Sequence, residues 1–220
     1  MTGSRRYAWL MLWAAILCVF FATRLDEACS RKVTSPVLGS KLENNVPCGE
    51  MVAGFHLRQP VNWDLLDATL LEQEASREVC VSVFLANYAN RMNEGTVALT
   101  LQSGDNRYRK AVEAGTVRDN AHHRICFEGL VLGDIVYKPT WVIIEGIDSR
   151  PGRAITAWMT TDTTHGTALL DGGRTSDRSL TFRIGTVQDG RAIRRHAVFL
   201  ALICGLSGAL LFMNRPQTGG

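Results

Sequence analysis

The chain carries almost no excess of charge, with 24 basic against 21 acidic side chains in 220 residues, a net +3. A nucleic-acid surface needs a concentrated basic face. Here the arginines are scattered, and the tract from Arg191 to Arg195 adjoins an apolar run, so nucleic acid is not an expected partner. Catalytic signatures are missing as well. There is no Gly-x-Ser-x-Gly elbow and no phosphate-cradling glycine loop with its lysine, the patterns that place a nucleophile or hold a nucleotide. No Cys/His spacing typical of zinc sites occurs. The nearest approach is His122-His123 with Asp119 beside it, and neighbours in a strand point to opposite faces. Asp119, Glu128 and Glu145 fall on or beside predicted strands without an acid/base pairing. The expectation is a non-enzymatic protein with no metal and no cofactor. Internal repeats and low-complexity tracts are also lacking.

What the chain does have is two uncharged apolar runs, one at each end. Residues 7–23 follow Arg5 and Arg6, and residues 197–213 lie between Arg194-Arg195 and Arg215. Each is close to the roughly 17–25 residues that cross hydrocarbon as a helix. The first run is longer than the apolar core of a signal peptide, usually about 7–15 residues, which favours an uncleaved anchor over a cleaved leader. The second is apolar on every face, which disfavours a helix buried in a soluble core. Both runs carry small residues at helical spacing: Ala14, Cys18 and Ala22 in one, Ala201, Gly205 and Ala209 in the other. Such ridges let helix backbones approach closely in lipid, suiting a hairpin, self-association or an integral membrane partner. The expected organisation is a tail (1–6), a transmembrane helix (7–23), an extended lead-in (24–77), a β domain (78–190), a second transmembrane helix (197–213) and a tail (214–220).

Orientation draws on conflicting signals. Arg5 and Arg6 favour a cytoplasmic N-terminus, which puts Arg191, Arg194 and Arg195 outside. The positive-inside tendency weakens for loops longer than about 60 residues. Four cysteines between the runs, at 29, 48, 80 and 126, tilt the domain toward an oxidising compartment. The reading is an inner-membrane protein with its domain on the periplasmic face.

From Glu78 onward the pattern has period two. Val79, Val81, Val83 and Leu85 alternate with Cys80, Ser82, Phe84 and Ala86, as a half-buried strand requires. Residues 97–101, 124–128, 141–147, 154–160 and 180–184 are further strand candidates, separated by turn-rich stretches such as Ser103-Gly-Asp-Asn. Residues 64–76 read as a short helix or an insertion. Short strands with such punctuation point to an all-β antiparallel sandwich.

The run Val81-x-Val-x-Leu-Ala-Asn-Tyr-x-x-Arg-x-Asn-x-Gly-x-x-x-Leu-x-Leu leads to Val117-Arg-Asp-Asn and then Cys126-Phe. Pro151-Gly-x-Ala-Ile-Thr-x-Trp and Leu180-Thr-Phe-Arg-Ile continue it. Together these resemble the carbohydrate-binding-module-like β-sandwich domains of polytopic membrane proteins in envelope glycan assembly, membrane glycosyltransferases among them. The resemblance spans about residues 78–184 and implies a jelly-roll-like fold. Those proteins also carry many membrane helices and a catalytic part, so any transferase chemistry is expected from a partner. The implied role is an accessory one in envelope polysaccharide assembly or export, with a glycan or a membrane partner bound. The alternatives are a structural subunit of a membrane complex with no sugar affinity and, less favoured, a small envelope hydrolase.

For a glycan, the aromatic candidates are Trp158, Trp141 and Tyr88, with Arg91 beside Tyr88. In strand geometry Trp158 shares a face with Thr156 and Thr160, leaving Ile155, Ala157 and Met159 on the apolar side. The competing role for these aromatics is core packing, since large rings are mostly buried. Cys80 and Cys126 fall in predicted strands while Cys29 and Cys48 lie in the lead-in. Of three connectivities, 80–126 with 29–48 is the expected one. Cys18 and Cys204 sit in the apolar runs as packing residues.

Overall fold

The computed structural model describes residues 33–89 and 91–188. Thr34–Val187 form one compact unit. The expected helices at 7–23 and 197–213, with their small-residue ridges at Ala14, Cys18, Ala22, Ala201, Gly205 and Ala209, lie outside the described residues. Among the described residues no helix is long and apolar enough to cross a membrane.

The unit is a β-sandwich of two sheets built from antiparallel pairs. The larger has seven strands: β1 (Val33–Gly39), β2 (Val46–Pro47), β4 (Glu78–Ala86), β7 (Ala121–Val131), β9 (Thr156–Thr160), β12 (Ser179–Leu180) and β13 (Phe182–Gln188). Its order is β1-β13-β4-β9-β12, with β7 on the other edge of β4 and β2 on β9. The smaller sheet has six strands: β3 (His56–Val61), β5 (Thr96–Ser103), β6 (Asn106–Glu113), β8 (Thr140–Gly146), β10 (Leu169–Leu170) and β11 (Arg174–Thr175). They run in the order β11-β10-β3-β8-β5-β6.

The period-two pattern of β4 has the expected consequence. Val79, Val81, Val83 and Leu85 are buried, and they meet Leu57, Leu99, Leu101, Val142 and Ile144 of the other sheet in one core. Each such burial stabilises the fold by about 1.5–3 kcal/mol relative to exposure. A hairpin joins β5 to β6, with Ser103 opposite Asn106. Gly104 takes φ 55° there, which a glycine adopts without steric cost. The stretch 64–76 contains one helix, α1 (Ala68–Glu74), opened by the Asp67 side chain, which accepts from the N–H groups of Thr69 and Leu70.

Two expectations change. Residues 24–77 are not merely a lead-in, because β1, β2 and β3 fall within them and the sandwich starts at β1 rather than at Glu78. β3 lies between β10 and β8 and is central. Its sequence, His-Leu-Arg-Gln-Pro-Val, hides the alternation behind a buried glutamine and a proline. The second change concerns Cys48. It is a free thiol, so the 29–48 bond is not formed, and Cys29 lies outside the described residues. The Cys48 Sγ instead sits 3.7 Å from Thr156 Oγ1 and 3.6 Å from the Gly49 carbonyl, and burial pushes this thiol's pKa up. The other expected bond is present: Cys80 and Cys126 stand opposite each other on β4 and β7 and are joined as a disulfide.

Candidate functional site on the outer face of the larger sheet

Because β4 sends its odd-numbered residues into the core, its even-numbered ones face outward, and register decides what joins them. Ser82 is opposite Arg124 on β7 and Arg183 on β13. Two residues along, Phe84 is opposite His122 on β7. On its other side β9 takes over from β13, with Leu85 opposite Ala157, which aligns Trp158 with Phe84. The outer face therefore presents two parallel rows. One is aromatic, Trp158–Phe84–His122; the other is polar and basic, Arg183–Ser82–Arg124.

The aromatic row is continuous. The Phe84 ring lies 5.0 Å from His122 and 6.3 Å from Trp158, centroid to centroid, and tilted to both, within the range of favourable aromatic pairs. Trp158 Nε1 donates to Asn120 Oδ1 at 2.9 Å, which fixes the indole's rotation. Asn120 supports this from a left-handed backbone conformation, φ 49°. All three rings are partly exposed. The expected division of β9 holds on the core side, where Ile155, Ala157 and Met159 are buried. Thr156 and Thr160 are buried too, although they share Trp158's side of the strand. Thr160 Oγ1 is enclosed by the chain before β2, donating to the carbonyls of Lys41 and Glu43.

Beside the aromatic row lies a groove of about 340 Å³ lined by Thr34, Ser82, His122, Arg124, Arg183 and Gly185, with Cys80 of the disulfide. Gly185 is required where β1 crosses close, since a Cβ there would stand 2.6 Å from the Ser35 carbonyl oxygen. Arg124 Nη1 donates to Thr34 Oγ1 at 3.1 Å. Neither ring nitrogen of His122 has a hydrogen-bond partner among the described residues. Burial and the nearby Arg183 charge hold this histidine's pKa below its ordinary value, so it is neutral at pH 7. His123, one residue on, faces the opposite side of β7, opposite Val83.

The three ligand candidates read from sequence separate. Trp158 belongs to this face. Arg91 does not: its Nη2 makes an ion pair with Glu50 at 2.7 Å and donates to the Ala154 carbonyl at 2.6 Å, tying the turn after β4 to the chain just before β9. Its guanidinium also lies 4.6 Å above the Tyr88 ring, so that ring face is already covered. Trp141 is likewise occupied by Arg58, 4.7 Å above it on the smaller sheet. Phe84, His122, Ser82, Arg124 and Arg183 were not picked out as site residues from sequence. Alternation gives the outward side of each strand, but nothing in the sequence says which strands are neighbours. Asp119 is structural, its Oδ1 accepting from the Asn87 N–H at 2.8 Å. Glu145 pairs with Arg109 at 3.2 Å. Comparison of the chain with protein-family models, curated proteins and solved structures finds no match.

Proposed function

We propose that the chain is a non-catalytic, membrane-anchored accessory protein of envelope polysaccharide assembly or export, whose jelly-roll-like sandwich binds a glycan. The observation that carries this reading is the Trp158–Phe84–His122 row, a band of partly exposed rings on a sheet face. Aromatic faces cover the C–H faces of sugars, and polar side chains beside them hydrogen-bond the hydroxyls. Ser82, Asn120 and Arg124 stand in those positions. Rigid strands hold the rings, so little conformational entropy is lost on binding. The disulfide suits the periplasmic face of the inner membrane, and the apolar runs at 7–23 and 197–213 supply the anchors and the surfaces for an integral membrane partner.

The test is binding of the full-length protein, in detergent, to a glycan array. Binding is expected, and Trp158→Ala should weaken it about tenfold or more, the scale of one lost aromatic contact. Trp141→Ala, under its arginine, should leave it unchanged. A silent array, or binding indifferent to Trp158→Ala, would favour the structural-subunit reading.

A further inference from the structure

The aromatic row extends beyond its three rings. Pro47 on β2 stands opposite Trp158 and is exposed, and cross-strand partners share a face of the sheet. The strip is therefore Pro47–Trp158–Phe84–His122, one residue from each of β2, β9, β4 and β7. Among the described residues β2 pairs only with β9 and β7 only with β4, so the strip reaches an edge of the sheet at both ends. Trp158 is the one residue of β9 that is not buried. Both His122 ring nitrogens are buried, so any part of that ring that meets solvent is carbon. None of the four side chains carries a charge at pH 7, His122 being held neutral by burial and by the Arg183 charge.

We propose that the ligand is an internal stretch of an extended polysaccharide, about three to four consecutive pyranoses laid across the strands along this strip. This rests on the glycan reading above and adds the form of the ligand, a chain rather than a single sugar or a chain end. Neighbouring strands lie about 4.8 Å apart, close to the advance per sugar of an extended pyranose chain. The ring centroids, 5.0 Å and 6.3 Å apart, keep to a similar step. Four strands put Pro47 about 14 Å from His122, too far for one sugar ring to span. Equatorial linkages keep a pyranose chain straight with its rings flat, whereas an axial linkage curls it away from a straight strip. A strip open at both edges has no wall against which a chain end would stop. It therefore holds interior units and lets the polymer run on past the sheet. Ser82 and Asn120 flank the strip outside the core and supply polar groups for the hydroxyls at the sugar edges.

The experiment is isothermal titration of the full-length protein, in a detergent without a sugar head group, with three series of one to six units. They are β-1,4-linked glucose, β-1,4-linked N-acetylglucosamine and α-1,4-linked glucose. In at least one β-linked series affinity should rise about fivefold with each added unit and level off after the third or fourth. The α-linked series should be weaker at every length beyond the single sugar. Capping the longest oligomer as its methyl glycoside should change nothing, because no chain end is read. Pro47→Ser should cancel the last step of the rise and leave the disaccharide unchanged. Tyr137→Ala, on an exposed residue between β7 and β8, should alter neither. Single sugars bound as tightly as the oligomers, or an α-linked series bound equally well, would overturn the chain assignment; loss of that binding on Trp158→Ala would leave the glycan reading standing. Silence of all three series beside a positive glycan array would also overturn the chain assignment alone. Silence of the series and the array together would overturn both.

Discussion

Gln59 holds the two sheets in register from within the core. It is fully buried in β3, its Nε2 donating to the carbonyls of Pro60 and Gly166 and its Oε1 accepting from the Leu180 N–H at 2.7 Å. Both polar atoms of the amide are thereby used, and the Oε1 bond to Leu180 crosses from the smaller sheet to β12. A shape-similar apolar side chain leaves the Leu180 N–H without its acceptor, and a buried unsatisfied group costs about 1–3 kcal/mol. Gln59→Leu is therefore expected to destabilise the domain by about 2 kcal/mol or more, read as a lower midpoint in thermal unfolding followed by circular dichroism. An unchanged midpoint would mean the amide is dispensable. Residue-level roles of this kind were poorly legible beforehand. Strand alternation alone puts Trp158 on the outward face of its strand, and its ring is partly exposed there. Arg91 looks equally available in the sequence, but its ties to Glu50 and Ala154 come from segments distant in sequence, and only the Tyr88 contact is local.

At the scale of elements, legibility followed burial. β4, β5, β7, β8 and β9 put alternate apolar side chains into a shared core, and their period shows in the sequence. β6 is not legible in the sequence because it is an edge strand with one partner, β5. Its residues are mostly exposed, and Arg107, Arg109 and Lys110 sit among them. Lys110 stands opposite Leu99 on the core-facing side, where a charge discourages pairing with another strand. β3 is obscured for the opposite reason, its buried polar residue and Pro60 breaking the apolar alternation. The disulfide links β4 to β7 across 46 residues. A loop of that length gives about 4 kcal/mol by chain entropy, with measured cases mostly about 2–4. The Cys80→Ser, Cys126→Ser double variant should lose stability in that range, measured by urea unfolding without reductant. Wild-type protein in reductant should approach the same midpoint. A loss well below 1 kcal/mol would place the strength of this pair in its packing rather than its covalent bond.

Across the molecule as a whole, one buried and two half-buried histidines shape the response to acid. Burial holds His122, His123 and His165 below their ordinary value of about 6.5. His165 is buried against Phe182, ring centroids 5.1 Å apart, and its Nδ1 accepts from the Asn62 N–H at 3.3 Å, a bond only the neutral ring can accept. An unfolded chain takes up these protons near pH 6.5 and the folded one takes them up lower. Stability is thus complete above the unfolded value and declines as pH falls through it toward the folded values. The melting temperature should drop between about pH 7 and pH 5, and His165→Gln should flatten part of that slope. A flat profile would show the rings to be solvated in the native state.

The central claim is that the outer face of the larger sheet is where the protein meets its ligand. Hydrogen–deuterium exchange of the full-length protein, with and without a saturating glycan from the array, tests this most directly. Protection is expected in β4, β7 and β9 around Phe84, His122 and Trp158, with β5, β6 and β8 unchanged. Protection confined to the smaller sheet, or none in the presence of bound glycan, would contradict it.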